Sequence, residues 1–239
     1  MQVQPVKTRI FKEGESLADF VVAHIPTLAE GSVLVVTSKI VALAEGRTSD
    51  ATDEKTKERL IRAESTFALK TKWVWLTLRD RLVIANAGID ESNSAGKLVL
   101  LPKDSYASAK ALRTTLMKRY GIRRLGVILT DSRILPLRTG VMGVTLGYAG
   151  VKGLRDYIGQ KDIFGRKFQF EKTNVVDCLA SAAVLCMGEG AERQPLAVIT
   201  GAPVAFATTV RKDELAIDLK DDIYLPLFAK IPKALLKKR

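Results

Sequence analysis

RLVIANAGIDESN, residues 81–93, is the stretch around which the rest of the chain is organised. Leu82, Val83 and Ile84 form a short apolar run of the kind that becomes a buried strand. Asn86, Ala87 and Gly88 break it, and asparagine and glycine both accept turn geometry. Asp90, Glu91, Ser92 and Asn93 follow at once, four oxygen-bearing side chains on a tight bend. Carboxylates this close repel each other unless a cation, basic groups or water screen them. Mg²⁺ and Mn²⁺ take such oxygen ligands, with substrate phosphates completing the shell. A merely solvated acidic turn would have the same sequence. A second acid in a similar setting favours the functional alternative: residues 125–130 are another apolar run, ending in Asp131 and Ser132.

Upstream, residues 73–78 (WVWLTL) alternate like a strand and lead through Arg79 and Asp80 into residues 81–93, which predicts a hairpin. Thr52 or Asp53 caps a helix with Leu60, Ala63, Glu64 and Phe67 at helical spacing, leaving Arg59, Arg62 and Lys70 to solvent. Residues 32–37 (SVLVVT) are a strongly apolar strand that runs into Ser38, Lys39 and the turn-like Glu45, Gly46 and Arg47. Such strand-to-loop transitions are where α/β proteins put ligand contacts. Ser16 caps a first helix over Leu17, Phe20 and Val21, which stops near Pro26. His24, the only histidine, ends that helix, a poor place for a catalytic group, so histidine acid–base chemistry has little room here.

Downstream, residues 98–101 form a short strand before Pro102. Asp104 or Ser105 then caps a helix carrying Ala109, Leu112, Leu116 and Tyr120, with Gly121 as its stop. Seven of the chain's 17 glycines fall at 140, 143, 147, 150, 153, 159 and 165. Regular helix is disfavoured there and backbone can approach a ligand closely, although turns and bulges use glycine in the same way. This segment holds Arg138, Arg155, Asp156, Tyr157, Asp162 and Arg166, and it is neither a Walker loop nor a dinucleotide GxGxxG unit. Thr173 caps a helix with Val175, Leu179, Ala182 and Cys186 on one stripe, ending at Met187 and Gly188 and exposing Glu189 and Gly190. Residues 196–200 are a last strand, followed by Gly201, Ala202 and Pro203, and no internal repeat is visible.

At 239 residues the chain can form one large domain or two small ones with ample core. Its 47% hydrophobic and 27% charged residues are ordinary for a soluble globular protein. No stretch approaches the roughly 20 apolar residues of a membrane span. MQVQPVKTRIF at the start lacks the apolar core of a signal peptide, so a cytoplasmic location is expected. Cys178 and Cys186 lie roughly 12 Å apart on one helix at about 1.5 Å per residue, beyond disulfide reach, and are expected as buried free thiols. The net charge of +12 admits nucleic acid as a partner, yet aromatics are only 6% and no reading motif is present. A dispersed basic excess also suits a cleft for polyanionic small molecules, or plain solubilising surface charge. The fold class these signals define is mixed α/β (α+β), with motif-bearing loops at strand ends. Residues 1–239 are expected to act as one functional unit, with room for two lobes.

In combination, VLVVTSKIVALAEGR (33–47), NAGIDESN (86–93), TDSRILPLRTG (130–140), GLRDYIGQKDIFGR (153–166) and CMGEG (186–190) resemble the coenzyme F420-0:L-glutamate ligase family of γ-glutamyl ligases. The resemblance runs through most of the chain, in order and with matching spacing. It implies the γ-glutamyl ligase type fold and GTP-dependent amide formation between an acceptor carboxylate and the amine of L-glutamate. It also implies Mg²⁺ or Mn²⁺ at two sites, with K⁺ as a further candidate. Asp90 and Asp131 match ligands of one metal, and Ser132 and Glu189 ligands of a second. Ser38, Lys39, Asn93 and the 187–194 turn with Met187, Gly188 and Gly190 match nucleotide contacts, as do residues 8–11. Arg138, Arg155, Asp156, Tyr157 and Arg166 are the substrate-binding candidates. A homodimer with active sites near the subunit interface is implied as well. Two positions depart from the family pattern: SKAEGR reads ALAEGR, with Leu43 in place of a nucleotide-contacting lysine, and Leu137 replaces a tryptophan.

A carboxylate is a poor electrophile, so such a ligase is expected to make an acyl phosphate from the γ-phosphoryl group and let the amine displace phosphate. Phosphoryl transfer needs positioning and charge neutralisation more than a protein nucleophile. Three alternatives remain open at this point. The acceptor is a deazaflavin such as coenzyme F420-0; or the same chemistry serves a folate-type or other acceptor; or the chain is a non-catalytic basic module for nucleotide or nucleic acid, with binding that falls steeply in salt.

Overall fold

A computed structural model describes residues 1–50 and 52–228. In chain order the elements are β1 (Gln2–Val6), α1 (Leu17–His24), β2 (Ser32–Thr37), α2 (Ser38–Ala44), β3 (Thr48–Ser49), α3 (Glu54–Ala63), β4 (Phe67–Lys70), β5 (Trp75–Arg79) and β6 (Leu82–Ala85). There follow β7 (Leu98–Val99), α4 (Ser105–Tyr120), β8 (Leu125–Arg133), β9 (Met142–Ala149), β10 (Leu154–Asp156), β11 (Lys172–Asn174), α5 (Val175–Met187) and β12 (Leu196–Thr200). The mixed α/β class is as expected from the sequence. The chain divides into two compact units, Met1–Arg47 with Pro102–Glu214, and Thr48–Leu101 with the part that begins at Leu215.

The first unit is built on a five-stranded sheet in the order β1-β12-β2-β8-β9. Its middle strand β2 pairs parallel with β8 and antiparallel with β12. Val33, Leu34, Val35 and Val36 are all 0% exposed, which is why SVLVVT reads as an unbroken apolar run instead of an alternating one. On one face Leu34, Val36, Leu125, Val127 and Leu129 meet Phe20 and Val21 of α1, Ile40 and Val41 of α2, and Ala109, Leu112 and Leu116 of α4. α5 packs on β1, β8, β9 and β12 from the other face. α4 keeps the expected limits: the Asp104 carboxylate accepts from the Ala107 N–H at 3.0 Å, and Gly121 closes the helix at φ 67°.

Four expectations change in this unit. The glycine-rich segment contains an eight-residue strand, β9, because its glycines clear space for helices. A Cβ at Gly143 would lie 2.6 Å from the Ala180 carbonyl oxygen of α5, and one at Gly147 would lie 2.5 Å from the Ser105 carbonyl carbon of α4. A bulge between Leu129 and Thr130 accounts for the two glycines facing opposite helices. Next, α5 is capped by Asn174, not Thr173, and its buried stripe is Val176, Leu179, Ala180, Ala183, Val184 and Met187. Cys178 and Cys186 are free as expected but exposed, because the stripe lies one residue round from the expected one. Asp131 and Ser132 lie inside β8, which runs on to Arg133 against β9, where a loop was expected. Beyond these four, β1 was not foreseen from the sequence, and Pro5 is tolerated there because the strand is at the sheet edge.

The second unit holds an antiparallel sheet in the order β4-β5-β6, the short β3–β7 ladder and α3. Ile61, Trp75, Ile89, Leu98 and Leu100 form its apolar cluster. Asp53 caps α3 through the Thr56 N–H at 3.0 Å, but the helix stops at Ala63 and Phe67 opens β4 instead of continuing it. The expected hairpin joins β5 to β6 through Asp80 and Arg81, at φ 49° and 65°, the left-handed pair a two-residue turn requires. β6 was expected to be a buried strand; it is an edge strand with only Ile84 buried, so Val83 reaches solvent.

Candidate functional site

Parallel pairing of β2 with β8 brings Thr37 level with Thr130. The next residue of each strand, Ser38 at the start of α2 and Asp131, then meet: the Ser38 hydroxyl donates to Asp131 Oδ1 at 3.3 Å. Successive strand residues point to opposite faces, so Ser132 turns toward α5, where its hydroxyl contacts Glu189 Oε1 at 2.6 Å and Oε2 at 2.9 Å. Glu189 reaches that position because α5 ends at Gly188, φ 82° and ψ 169°, which turns the chain sharply. The Glu192 carboxylate folds back over this turn, accepting from the Gly190 N–H at 2.8 Å. Met187 is itself buried in the α5 stripe.

The start of β12 ties further stretches to the same end of the sheet. The Thr8 N–H donates to the Arg193 carbonyl at 2.9 Å, and the Thr37 N–H to the Pro195 carbonyl at 3.0 Å. Leu196 pairs on one side with Val6 and on the other with Val36. The register therefore gathers residues 8–11, Ser38, Lys39, Asp131, Ser132 and the 187–194 turn, stretches that lie far apart in sequence. Lys39 is half-buried, and Arg133, two residues along the same face from Asp131, is buried. Arg133 stands in the quoted 130–140 motif but was not among the sequence candidates; its place two residues after Asp131 was the signal available, and its burial shows only in the structure. Leu43, at the departure from the family pattern, packs half-buried against the main apolar cluster, whereas Leu137 is fully exposed with φ 58°.

Asp90 and Asn93 belong to the second unit. Asn86, Ala87 and Gly88 all take left-handed φ, at 52°, 53° and 74°. That strained run is held by two bonds: Asn86 Oδ1 accepts from the Trp75 N–H at 2.9 Å, and the Ala87 N–H donates to the Thr77 hydroxyl at 2.9 Å. The main chain of Asp90 pairs in both directions with Val99, so its carboxylate is aimed by a fixed backbone. Both carboxylate oxygens accept at 2.8 Å, one from the Ser92 N–H and the other from the Ser92 hydroxyl. Glu91 pairs instead with Lys57 of α3. Asn93 sits at φ 49° in the following turn.

The substrate candidates lie mostly on the β10–β11 ladder and its loop. Arg155 donates to the Pro203 carbonyl. The Asp156 carboxylate accepts from the Ile158 N–H at 2.8 Å and pairs with Lys172 at 3.2 Å, contacts that hold it below the usual carboxylate range. Hydrogen bonds with Arg155 and Thr173 lower the Tyr157 phenol in the same way. Asp162 braces the loop by accepting from the Phe164 and Arg166 N–H groups at 2.8 and 2.9 Å, and Arg166 and Arg138 are exposed. Among the described residues no three His, Cys, Asp or Glu side chains cluster closely enough to share an ion. No helix among them is long and apolar enough to cross a membrane.

A mixed α/β chain built on a five-stranded sheet thus gathers carboxylates and hydroxyls at one end of that sheet. The chain belongs to the F420-0:Gamma-glutamyl ligase family, whose model matches residues 5–81 and 76–201. It is similar to the coenzyme F420:L-glutamate ligases of Archaeoglobus fulgidus, 34% identical with 86% of this chain and 89% of that protein covered, and of Methanopyrus kandleri, 34% identical with 84% and 87% covered. The enzyme of the same name from Methanocaldococcus jannaschii is 29% identical, with 89% and 92% covered.

Proposed function

We propose that the chain joins L-glutamate by an amide bond to the carboxylate of a coenzyme F420-0-type acceptor, with GTP as the energy source. The observation that supports this best is the gathering of Ser38 with Asp131 and of Ser132 with Glu189 at one end of the sheet. In the reaction an acceptor carboxylate oxygen attacks the γ-phosphorus of GTP and GDP leaves, giving an acyl phosphate. The glutamate amine then attacks the acyl carbon, phosphate departs with the electrons of the broken C–O bond, and the amine proton passes to solvent.

In the first unit Asp131, Ser132 and Glu189 offer oxygen donors alone, the set that Mg²⁺ and Mn²⁺ prefer, and in the second unit Asp90 and Ser92 offer the same kind of donor. Bound there, such an ion would neutralise phosphate charge. The chain's own groups position the reactants. Ser38 orients Asp131, and Ser132 orients Glu189. Gly188, at φ 82°, makes the turn that presents Glu189. The exposed guanidinium groups of Arg138 and Arg166 match the carboxylates of glutamate and acceptor. The homodimer implied by the sequence resemblance is supported by Ile163, Phe164, Phe170 and Leu185, all 85% or more exposed in the first unit.

The decisive experiment incubates purified protein with GTP, Mn²⁺, L-glutamate and a panel of acceptors, deazaflavin and folate among them, read by mass and by phosphate release. Phosphate release that requires both glutamate and one acceptor supports the proposal. GTP left intact with every acceptor refutes it.

A further inference from the structure

His24, the only histidine, ends α1 with both ring nitrogens engaged. Nδ1 lies 2.8 Å from the Phe20 carbonyl oxygen, and a carbonyl only accepts, so Nδ1 carries a hydrogen. The Arg9 backbone N–H donates to Nε2 at 3.3 Å, so Nε2 is a bare lone pair. One protonation state satisfies both contacts, the neutral ring with its hydrogen on Nδ1. Phe20 holds the ring from the side, with centroids 4.4 Å apart, and the Arg9 guanidinium lies 4.9 Å from the same phenyl centroid.

Arg9 follows Thr8, whose N–H is bonded to the carbonyl of Arg193 in the 187–194 turn. We propose that His24 is a positioning residue: its neutral ring fixes the Arg9 main chain, and with it the 8–11 edge of the nucleotide site, and protonation releases that edge. A hydrogen on Nε2 would set two donors against each other where one bond now forms. The nucleotide half of this inference rests on the function proposed above, whereas the coupling of His24 to Arg9 does not.

The neighbouring groups leave the switch to the imidazole. Glu15 accepts from Arg9 Nη1 at 2.7 Å, and that contact brings its carboxyl down to about 2 while raising Arg9. From α4, Tyr120 donates to the Ile25 carbonyl and burial raises its phenol, and Arg119 pairs with Asp19 at 2.7 Å. Arg9, Glu15 and Tyr120 therefore keep their protonation states, charged for the first two and neutral for the third, through the range of pH in which imidazoles exchange protons.

The test uses isotope-labelled full chain across pH 5 to 8, following the His24 ring nitrogens, the Arg9 amide and the affinity for a non-hydrolysable GTP analogue. His24→Gln is the comparison, since its side-chain carbonyl can accept the Arg9 N–H but does not titrate. The Arg9 amide is expected to shift with the same midpoint as the ring, and nucleotide affinity to fall about fivefold on protonation, the equivalent of about 1 kcal/mol. The γ-phosphate titrates in the same range, so the difference between parent and variant is the quantity that counts. An Arg9 amide indifferent to the ring, the opposite tautomer, or an identical affinity profile in His24→Gln would each overturn the inference. An Arg9 amide that follows the ring in a chain that binds no GTP analogue would uphold the coupling and refute the proposed function instead.

Discussion

Gly147→Ala probes the least expected element, the strand built from a glycine-rich segment. Gly147 pairs with Leu129 of β8 and faces the first turn of α4. An added Cβ would meet the Ser105 carbonyl carbon at 2.5 Å, the Tyr106 nitrogen at 2.6 Å and the Ser105 oxygen at 2.7 Å, all main-chain atoms. The gap would have to open from 2.5 to 3.4 Å before contact became ordinary. α4 has little freedom to withdraw, because Ala109, Leu112 and Leu116 seat it on the sheet. Overpacking costs typically 1–3 kcal/mol, and rigid backbone on both sides places this change near the upper end, about 3 kcal/mol. For a unit of this size that lowers the melting temperature by roughly 6–12 °C. Gly121→Ala, at the end of the same helix, is the control: φ is 67° with nothing within 4 Å, so backbone strain alone should cost about 1 kcal/mol. Thermal and urea unfolding of both variants decide the matter. If Gly147→Ala melts within about 2 °C of the parent, or no lower than Gly121→Ala, close packing of β9 on α4 is not what keeps glycine there.

Ser132→Ala removes the hydroxyl that contacts both Glu189 oxygens and should cost turnover about tenfold or more, with melting unchanged; equal loss of stability and activity would assign the serine to the fold. Asp90→Asn keeps a carbonyl oxygen for the Ser92 N–H, so the fold should hold while Mn²⁺-dependent turnover disappears, and a Mn²⁺ titration that matches the parent counts against the metal role. Glu15 has its carboxyl lowered from 4.5 to about 2 by Arg9, so its contribution to stability is present above the unfolded value and is lost as pH falls toward 2. Glu15→Gln should therefore flatten the stability profile between about pH 4.5 and 2, checked by melts across that range, and a profile as steep as the parent's would exclude the pair as its source.

Elements with strong local chemistry were legible in the sequence. SVLVVT is a central strand because it is covered on both faces, and Asp104 and Gly121 bound α4 because a side-chain cap and a left-handed stop are local signals. Elements decided by tertiary contact were not. Gly143 and Gly147 look irregular until α5 and α4 are seen pressing on them. The core stripe of α5 is apolar or small on neighbouring faces too, so periodicity alone put Cys186 inside and left Val184 out. The motifs carried the candidate residues but not their partners. Ser38 and Asp131 are 93 positions apart, and only the parallel register of β2 and β8 makes them neighbours.

Three candidate acids share one local design. Asp131 accepts from Ser38, Glu189 from Ser132 and Asp90 from Ser92, in each case through a serine hydroxyl. A hydroxyl differs from an ammonium or guanidinium in what it can do next. While it donates its hydrogen it steadies an anionic carboxylate; when a cation arrives, the hydrogen can rotate away and the same oxygen becomes an acceptor. The carboxylate and hydroxyl can then both offer hard oxygens to the ion. A lysine or arginine in the same place would have to be displaced, since neither has a lone pair to offer. On the proposed function this makes Ser38, Ser92 and Ser132 part of the preparation for metal. Exchanging each for alanine should weaken Mn²⁺ binding, whereas cysteine, with its softer sulfur, should shift preference from Mg²⁺ toward Mn²⁺ or Zn²⁺. Cysteine variants that bind Mg²⁺ as the parent does would show that these hydroxyls only brace the turns.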